Sequence, residues 1–225
     1  MFNINEIAEY EYLLILEAEK KYRTHLDTCV EALEVSWTFA EFVKHNALYF
    51  SYYLSQSNKA LYLSLMSLLR KHTNQSYSNM RLSIESSIMA CYELHRNASE
   101  LLGDCESDRK KAYKWIESNY KNHSDALGGL KNKINKEFMH SSINSASAHS
   151  KMNIENGRFD SMLFDSVDDS EMKNRLVIFI QIILIQLSMY REVIEKYPLV
   201  EMKKGFQLEV ESILKESYKL INGED

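Results

Sequence analysis

The sequence predicts an all-α fold: one bundle of seven to eight helices around a central apolar helix at about 170–196, with one long irregular segment at about 141–170. Three observations predict it. The 225 residues include only six glycines and one proline, against about 16 and 11 at average usage, and multistranded sheets need such turn residues repeatedly. Apolar residues make up 45% of the chain, enough at this length to bury a core. Helical spacing of apolar positions recurs in most segments. No internal repeat and no break in composition divides the chain, so residues 1–225 read as a single helical-bundle domain, with 141–170 as an irregular insertion or loop within it.

A first helix is expected over 4–26, where Ile4, Ile7, Ala8, Leu14 and Ala18 fall near helical spacing. Thr28 and Glu31 have capping-box spacing, so a second helix is expected from there to about Ser55. It would carry a core stripe of Val35, Phe39, Phe42, Val43, Ala47, Phe50 and Leu54. Ser57 and Asn58 offer a cap for a third helix to about His72. A fourth is expected over about 78–97, and a fifth from Asp104–Ser107 to Tyr120. A sixth starts at Ser124 or Asp125, its start blurred by Gly128 and Gly129. Residues 141–170 hold eight serines, three asparagines and five acidic residues with no helical period. A connection that long inside a compact domain is usually functional or disordered. Asp168 and Glu171 cap the seventh helix, to about Lys196, and Pro198 stands where an N1 proline would open the last.

Twenty-seven basic against 32 acidic residues give a net charge of -5, with no overall basic footprint for nucleic acid. Local basic stretches occur at Arg109–Lys111 and Lys131–Lys136. Cys29, Cys91 and Cys105 are odd in number and widely spaced, which fits a reducing compartment rather than a zinc site. Glutamates at 6, 9, 11 and 17 rule out a signal or transit peptide in the first twenty residues. A cytoplasmic protein is therefore expected. The apolar run Leu176–Met189 is too short as a helix, at about 21 Å, to cross about 30 Å of hydrocarbon. Gln181 and Gln186 interrupt it, so it reads as a buried core helix and no membrane is expected.

The fourth helix carries the most chemistry. At about 100° per residue, Arg81, Glu85 and His95 share one stripe with Ile84, Ile88 and Tyr92, so the charged groups must be paired or face a cavity. Arg81 and Glu85 are spaced to form an i, i+4 pair that braces the bundle. An oriented guanidinium can instead hold a phosphate or carboxylate. Ser83, Ser86, Ser87 and Ala90 line the opposite face, small enough for a neighbouring helix to approach closely. Glu137 and His140 form one E-x-x-H, whereas a di-iron bundle needs two plus two further glutamates, so no metal and no cofactor are expected. His149 lies only nine residues beyond His140, within the irregular segment, where a turn residue is an equal reading. There is no G-x-S-x-G, Walker loop, G-x-G-x-x-G or H-E-x-x-H.

The run HTNQSYSNMRLSIESSIMACYELHRN (72–97), followed by INKEFMHSS some 40 residues later, resembles an uncharacterised bacterial all-helical family. In that family a helix bearing R-x-x-x-E precedes a helix ending in a histidine and small polar residues. The match covers roughly 61–149. The family is similar to the HEPN (higher eukaryote and prokaryote nucleotide-binding) proteins, many of them metal-independent ribonucleases acting as dimers. That resemblance implies a helical fold and an RNA-cleaving site of Arg81, Glu85 and His140, with Arg81 stabilising the phosphorane charge and His140 moving the proton. The HEPN signature is an arginine followed, after four to six intervening residues, by a histidine, and no arginine here has a histidine five to seven positions later. Arg81 and His140 can meet only through the fold.

The leading expectation is a non-enzymatic helical interaction or regulatory module of a bacterium or mobile element, associating with itself or a protein partner. The alternative is a HEPN-like metal-independent ribonuclease or toxin-type RNA-binding protein.

Overall fold

The computed structural model describes residues 3–96, 105–136, 150–153, 158–161 and 163–223. It is an all-α bundle, with eight α-helices and two small antiparallel strand pairs among the described residues. Helix α1 (Ile4–Lys21) is capped by the Asn3 side chain, which accepts from the Asn5 amide at 3.0 Å. The expected first helix breaks at Tyr22, whose φ of -122° and ψ of 30° leave the helical region, and α2 (Arg23–Thr38) follows. The break aims the Tyr22 hydroxyl at Asp169, to which it donates at 2.8 Å.

The expected second helix ends seventeen residues early. After Phe39 the chain forms strand β1 (Ala40–Val43) and a short 3-10 turn (His45–Ala47), and a new helix α3 (Leu48–Leu69) begins. β1 pairs antiparallel with β2, formed by Val200–Met202 near the other end of the chain, in the register Ala40↔Met202, Phe42↔Glu201 and Val43↔Val200. Backbone bonds from Lys203 N to Phe39 O (2.8 Å) and from Lys44 N to Leu199 O (2.9 Å) close the ladder at both ends. Phe42 is thereby exposed, while Val35, Phe39, Ala47, Phe50 and Leu54 of the expected stripe are buried.

Ser57 and Asn58 do not cap a helix; they lie inside α3, buried. Their polar groups turn to other helices: Asn58 exchanges hydrogen bonds with Ser36 of α2, and Ser57 Oγ lies 2.8 Å from Ser83 Oγ. Helix α4 (Thr73–Arg96) returns antiparallel to α3. The α3–α4 turn satisfies the last carbonyls of α3 by a Schellman arrangement, His72 N to Ser67 O and Lys71 N to Leu68 O. Lys71 takes the left-handed position at φ 58°. The small face of α4 is buried as expected, with Ser64–Ser76 (2.9 Å) and Ser83–Gln186 contacts across it.

Helices α5 (Cys105–Asn119) and α6 (Lys121–Ile134) form a second hairpin. α6 starts earlier than its capping signals indicate and carries Gly128 and Gly129 in its interior. The expected irregular segment contains a hairpin of β3 (Ser150–Asn153) and β4 (Arg158–Ser161), in full antiparallel register. The pairing runs residue for residue from Ser150↔Ser161 to Asn153↔Arg158, so part of the segment expected to be irregular is a strand pair.

Helix α7 (Asp169–Lys196) begins where Asp168 caps it, its side chain accepting from the Glu171 amide at 2.8 Å. It lies at the centre, packed against α2, α4, α6 and the last helix α8 (Phe206–Asn222). Its 28 residues rise about 42 Å, longer than the apolar run alone, so by length and composition it is able to cross a membrane. However, 67% of its most apolar window is buried within the bundle. Phe39 stacks on Tyr190 of α7 at 5.4 Å, and Phe50 meets the same ring edge-on at 6.0 Å. Pro198 does not open the last helix. It precedes β2, and α8 starts after Gly205 (φ 84°), because pairing with β1 keeps residues 200–202 extended.

Candidate functional site

Arg81 and Glu85 meet as their spacing predicts: Arg81 Nε donates to Glu85 Oε1 at 3.1 Å. The fold adds two partners from other helices. Lys131 Nζ of α6 lies 2.8 Å from Glu85 Oε1, and Arg109 of α5 lies 3.8 Å from Oε2. One residue from each basic stretch noted in the sequence, Arg109 and Lys131, thus meets the same carboxylate. Arg81 also donates to Asn135 at the end of α6 (3.3 Å), and Lys131 donates to the Tyr113 hydroxyl (2.8 Å). Burial pushes the Glu85 carboxyl up, but Lys131 and Arg81 outweigh it and hold the group below the usual carboxylate range.

Three cations against one carboxylate leave an excess of positive charge. Arg109 and Arg81 keep 49% and 39% of their side chains exposed, whereas Lys131 keeps 19%. Lys131 is therefore chiefly a brace, and the two arginines are the groups an incoming anion can reach. Glu85 is ionised and saturated by cations, so it is poorly suited to act as a general base. His140, Glu137 and His149 lie outside the described residues. His95 stands at the far end of α4, exposed, stacked on Trp115 at 4.9 Å and with Nδ1 3.0 Å from the Tyr197 hydroxyl. No cluster of three or more metal-ligating side chains occurs among the described residues.

Glu85 and Arg109 also border an open groove along the α3–α4 hairpin. One cavity of about 400 Å³ runs between Tyr53, Gln56, Leu82, Ser86 and Met89. It continues into a second, of about 580 Å³, past Tyr52, Lys59 and Leu63. Tyr52, Leu63 and Leu82 on its rims are exposed. On α3 the groove residues 52, 56, 59 and 63 recur at alternating steps of four and three, as do 79, 82, 86 and 89 on α4. That is the seam spacing of paired helices. The sequence carried this signal, but on α3 it is superposed on the buried stripe of Phe50, Leu54, Leu61, Leu65 and Leu68. A helix apolar on two faces reads simply as core. No protein-family model matches the chain, and no match is found among curated proteins or solved structures.

Proposed function

We propose that the chain is a non-enzymatic helical interaction module that associates with a second copy of itself through the open face of the α3–α4 hairpin. The observation that carries this reading is the groove, whose exposed Tyr52, Leu63 and Leu82 stand at helix-pairing spacing on both walls. A monomer gains nothing from leaving such a seam in water. A two-fold axis through its middle, where Ser86 donates to Gln56 at 3.1 Å, would set the two hairpins against each other as a four-helix core. Light scattering over a concentration series tests it. The native chain should be a dimer at tens of micromolar, and Leu63→Glu with Leu82→Glu a monomer of unchanged helix content. A native chain that is monomeric at all concentrations, with no partner recovered by pull-down, overturns it.

The charge distribution favours a second reading, RNA binding or cleavage. Residues 105–136 carry eight Lys and Arg against four Asp and Glu, in a chain whose net charge is -5. Arg81 and Arg109 stand at the exposed edge of that region. In this reading Arg81, Glu85 and His140 form a metal-independent ribonuclease site. Intact RNA after incubation, or cleavage unchanged in Arg81→Ala and His140→Ala, removes it.

A further inference from the structure

Helix α1 meets the bundle along one side, where Leu14 and Ala18 are buried. Two of its charged residues serve that side: Glu11 is held by Arg70 and His72, and Lys21 by Asp169 of α7. At about 100° per residue, Glu6, Glu9, Leu13, Leu16 and Lys20 lie together on the opposite side. All five are exposed, Leu13 by 53% and Leu16 by 41%. They recur at alternating steps of three and four, the spacing of a helix-pairing seam. Along the seam the order is acidic, then apolar, then basic. We propose that this stripe is a second self-association surface, on which α1 of one copy lies antiparallel against α1 of another.

The order of charge selects the occupant, because the stripe is complementary to its own reverse. A two-fold axis level with the peptide bond between Leu14 and Ile15 sets Leu13 against the partner's Leu16, and Glu9 against the partner's Lys20. Symmetry makes each contact twice, so four leucines form a core closed by an ion pair at either end. Parallel pairing would instead set Glu9 against the partner's Glu9 and Lys20 against the partner's Lys20, like charge on like. Tyr12, 60% exposed, flanks the leucines and in the antiparallel register stands beside the partner's Glu17. From Glu9 to Lys20 the seam rises only about 16 Å, which places it among weak, transient interfaces. It lies apart from the α3–α4 groove and does not rest on that groove being an interface.

Sedimentation equilibrium of the full chain at low salt, up to about 1.5 mM, tests it. The expected result is a doubling of mass with a Kd of about 0.3–1 mM, in the native chain and equally in the Leu63→Glu, Leu82→Glu chain whose groove is spoiled. That second chain separates this surface from the groove. Leu13→Glu with Leu16→Glu should abolish the step at unchanged helix content. Glu9→Lys or Lys20→Glu alone sets like charges together at both ends and should weaken the step about tenfold. The two charge reversals combined restore both pairs, so the Kd should return to within about threefold of the native value. All four positions are exposed, so the variants should fold. No doubling up to about 1.5 mM in the groove-spoiled chain, a doubling that survives Leu13→Glu with Leu16→Glu, or a combined charge reversal as weak as the single ones would each overturn the proposal.

Discussion

Replacing Glu85 by glutamine keeps the shape of the side chain and removes the charge that holds three cations together. Lys131 at 2.8 Å and Arg81 at 3.1 Å are in direct contact with its Oε1, while Arg109 at 3.8 Å is half exposed and adds little. A charge-assisted hydrogen bond contributes about 1.5–3 kcal/mol when buried and an exposed ion pair about 0–1, so two half-buried pairs are worth about 1 kcal/mol each. Uncompensated repulsion among the three cations brings the expected loss to about 2–3 kcal/mol, or about 4–12 °C in Tm for a chain of this size. Urea unfolding followed by circular dichroism measures it, and added salt should shrink the deficit by screening the stranded cations. The folded carboxyl lies below its ordinary value near 4.5. Its contribution is therefore present above that value and is lost as pH falls through the folded one, so native and variant curves should converge in acid. A loss under about 0.5 kcal/mol at pH 7, or a loss of the same size at pH 3, would refute the assignment of Glu85 as the ionic hub of α4, α5 and α6.

Glu93 has the opposite sign: it is 1% exposed, neither carboxylate oxygen has a hydrogen-bond partner among the described residues, and burial pushes its carboxyl above the usual range. The native chain should lose stability as pH rises from about 4.5 through the folded value, and Glu93→Gln should be more stable by about 1–2 kcal/mol at pH 8 but equal near pH 4 in urea titrations. Asp165 accepts from the Thr73 amide at 2.7 Å and so caps α4 from 92 residues away; Asp165→Ala should cost about 1–2 kcal/mol by thermal unfolding. Lys71 occupies a left-handed position that glycine adopts freely, so Lys71→Gly should raise stability by up to about 1 kcal/mol in the same assay.

The elements differ in how much of them was written locally. The start of α7 was legible because Asp168 and Glu171 are three residues apart and meet directly. The Arg81–Glu85 pair was legible for the same reason, both lying on one helix face. Ser57 and Asn58 misled because the groups that make a serine or asparagine a cap also satisfy it in a core. Here Ser36 and Ser83 supply the partners from 22 and 26 residues away. Pro198 misled because the extended chain after it is held by β1, more than 150 residues earlier.

Composition and periodicity alone determined the all-α class and the central place of the apolar helix, since helical hydrogen bonds and the faces they create depend only on residues three or four apart. Everything that places charge in space was decided by the tertiary structure. Only the packing of α4 against α5 and α6 sets Arg109 and Lys131 on Glu85. Contacts of that range leave no period in a sequence, because each partner is selected by where the backbone ends up rather than by its neighbours in the chain.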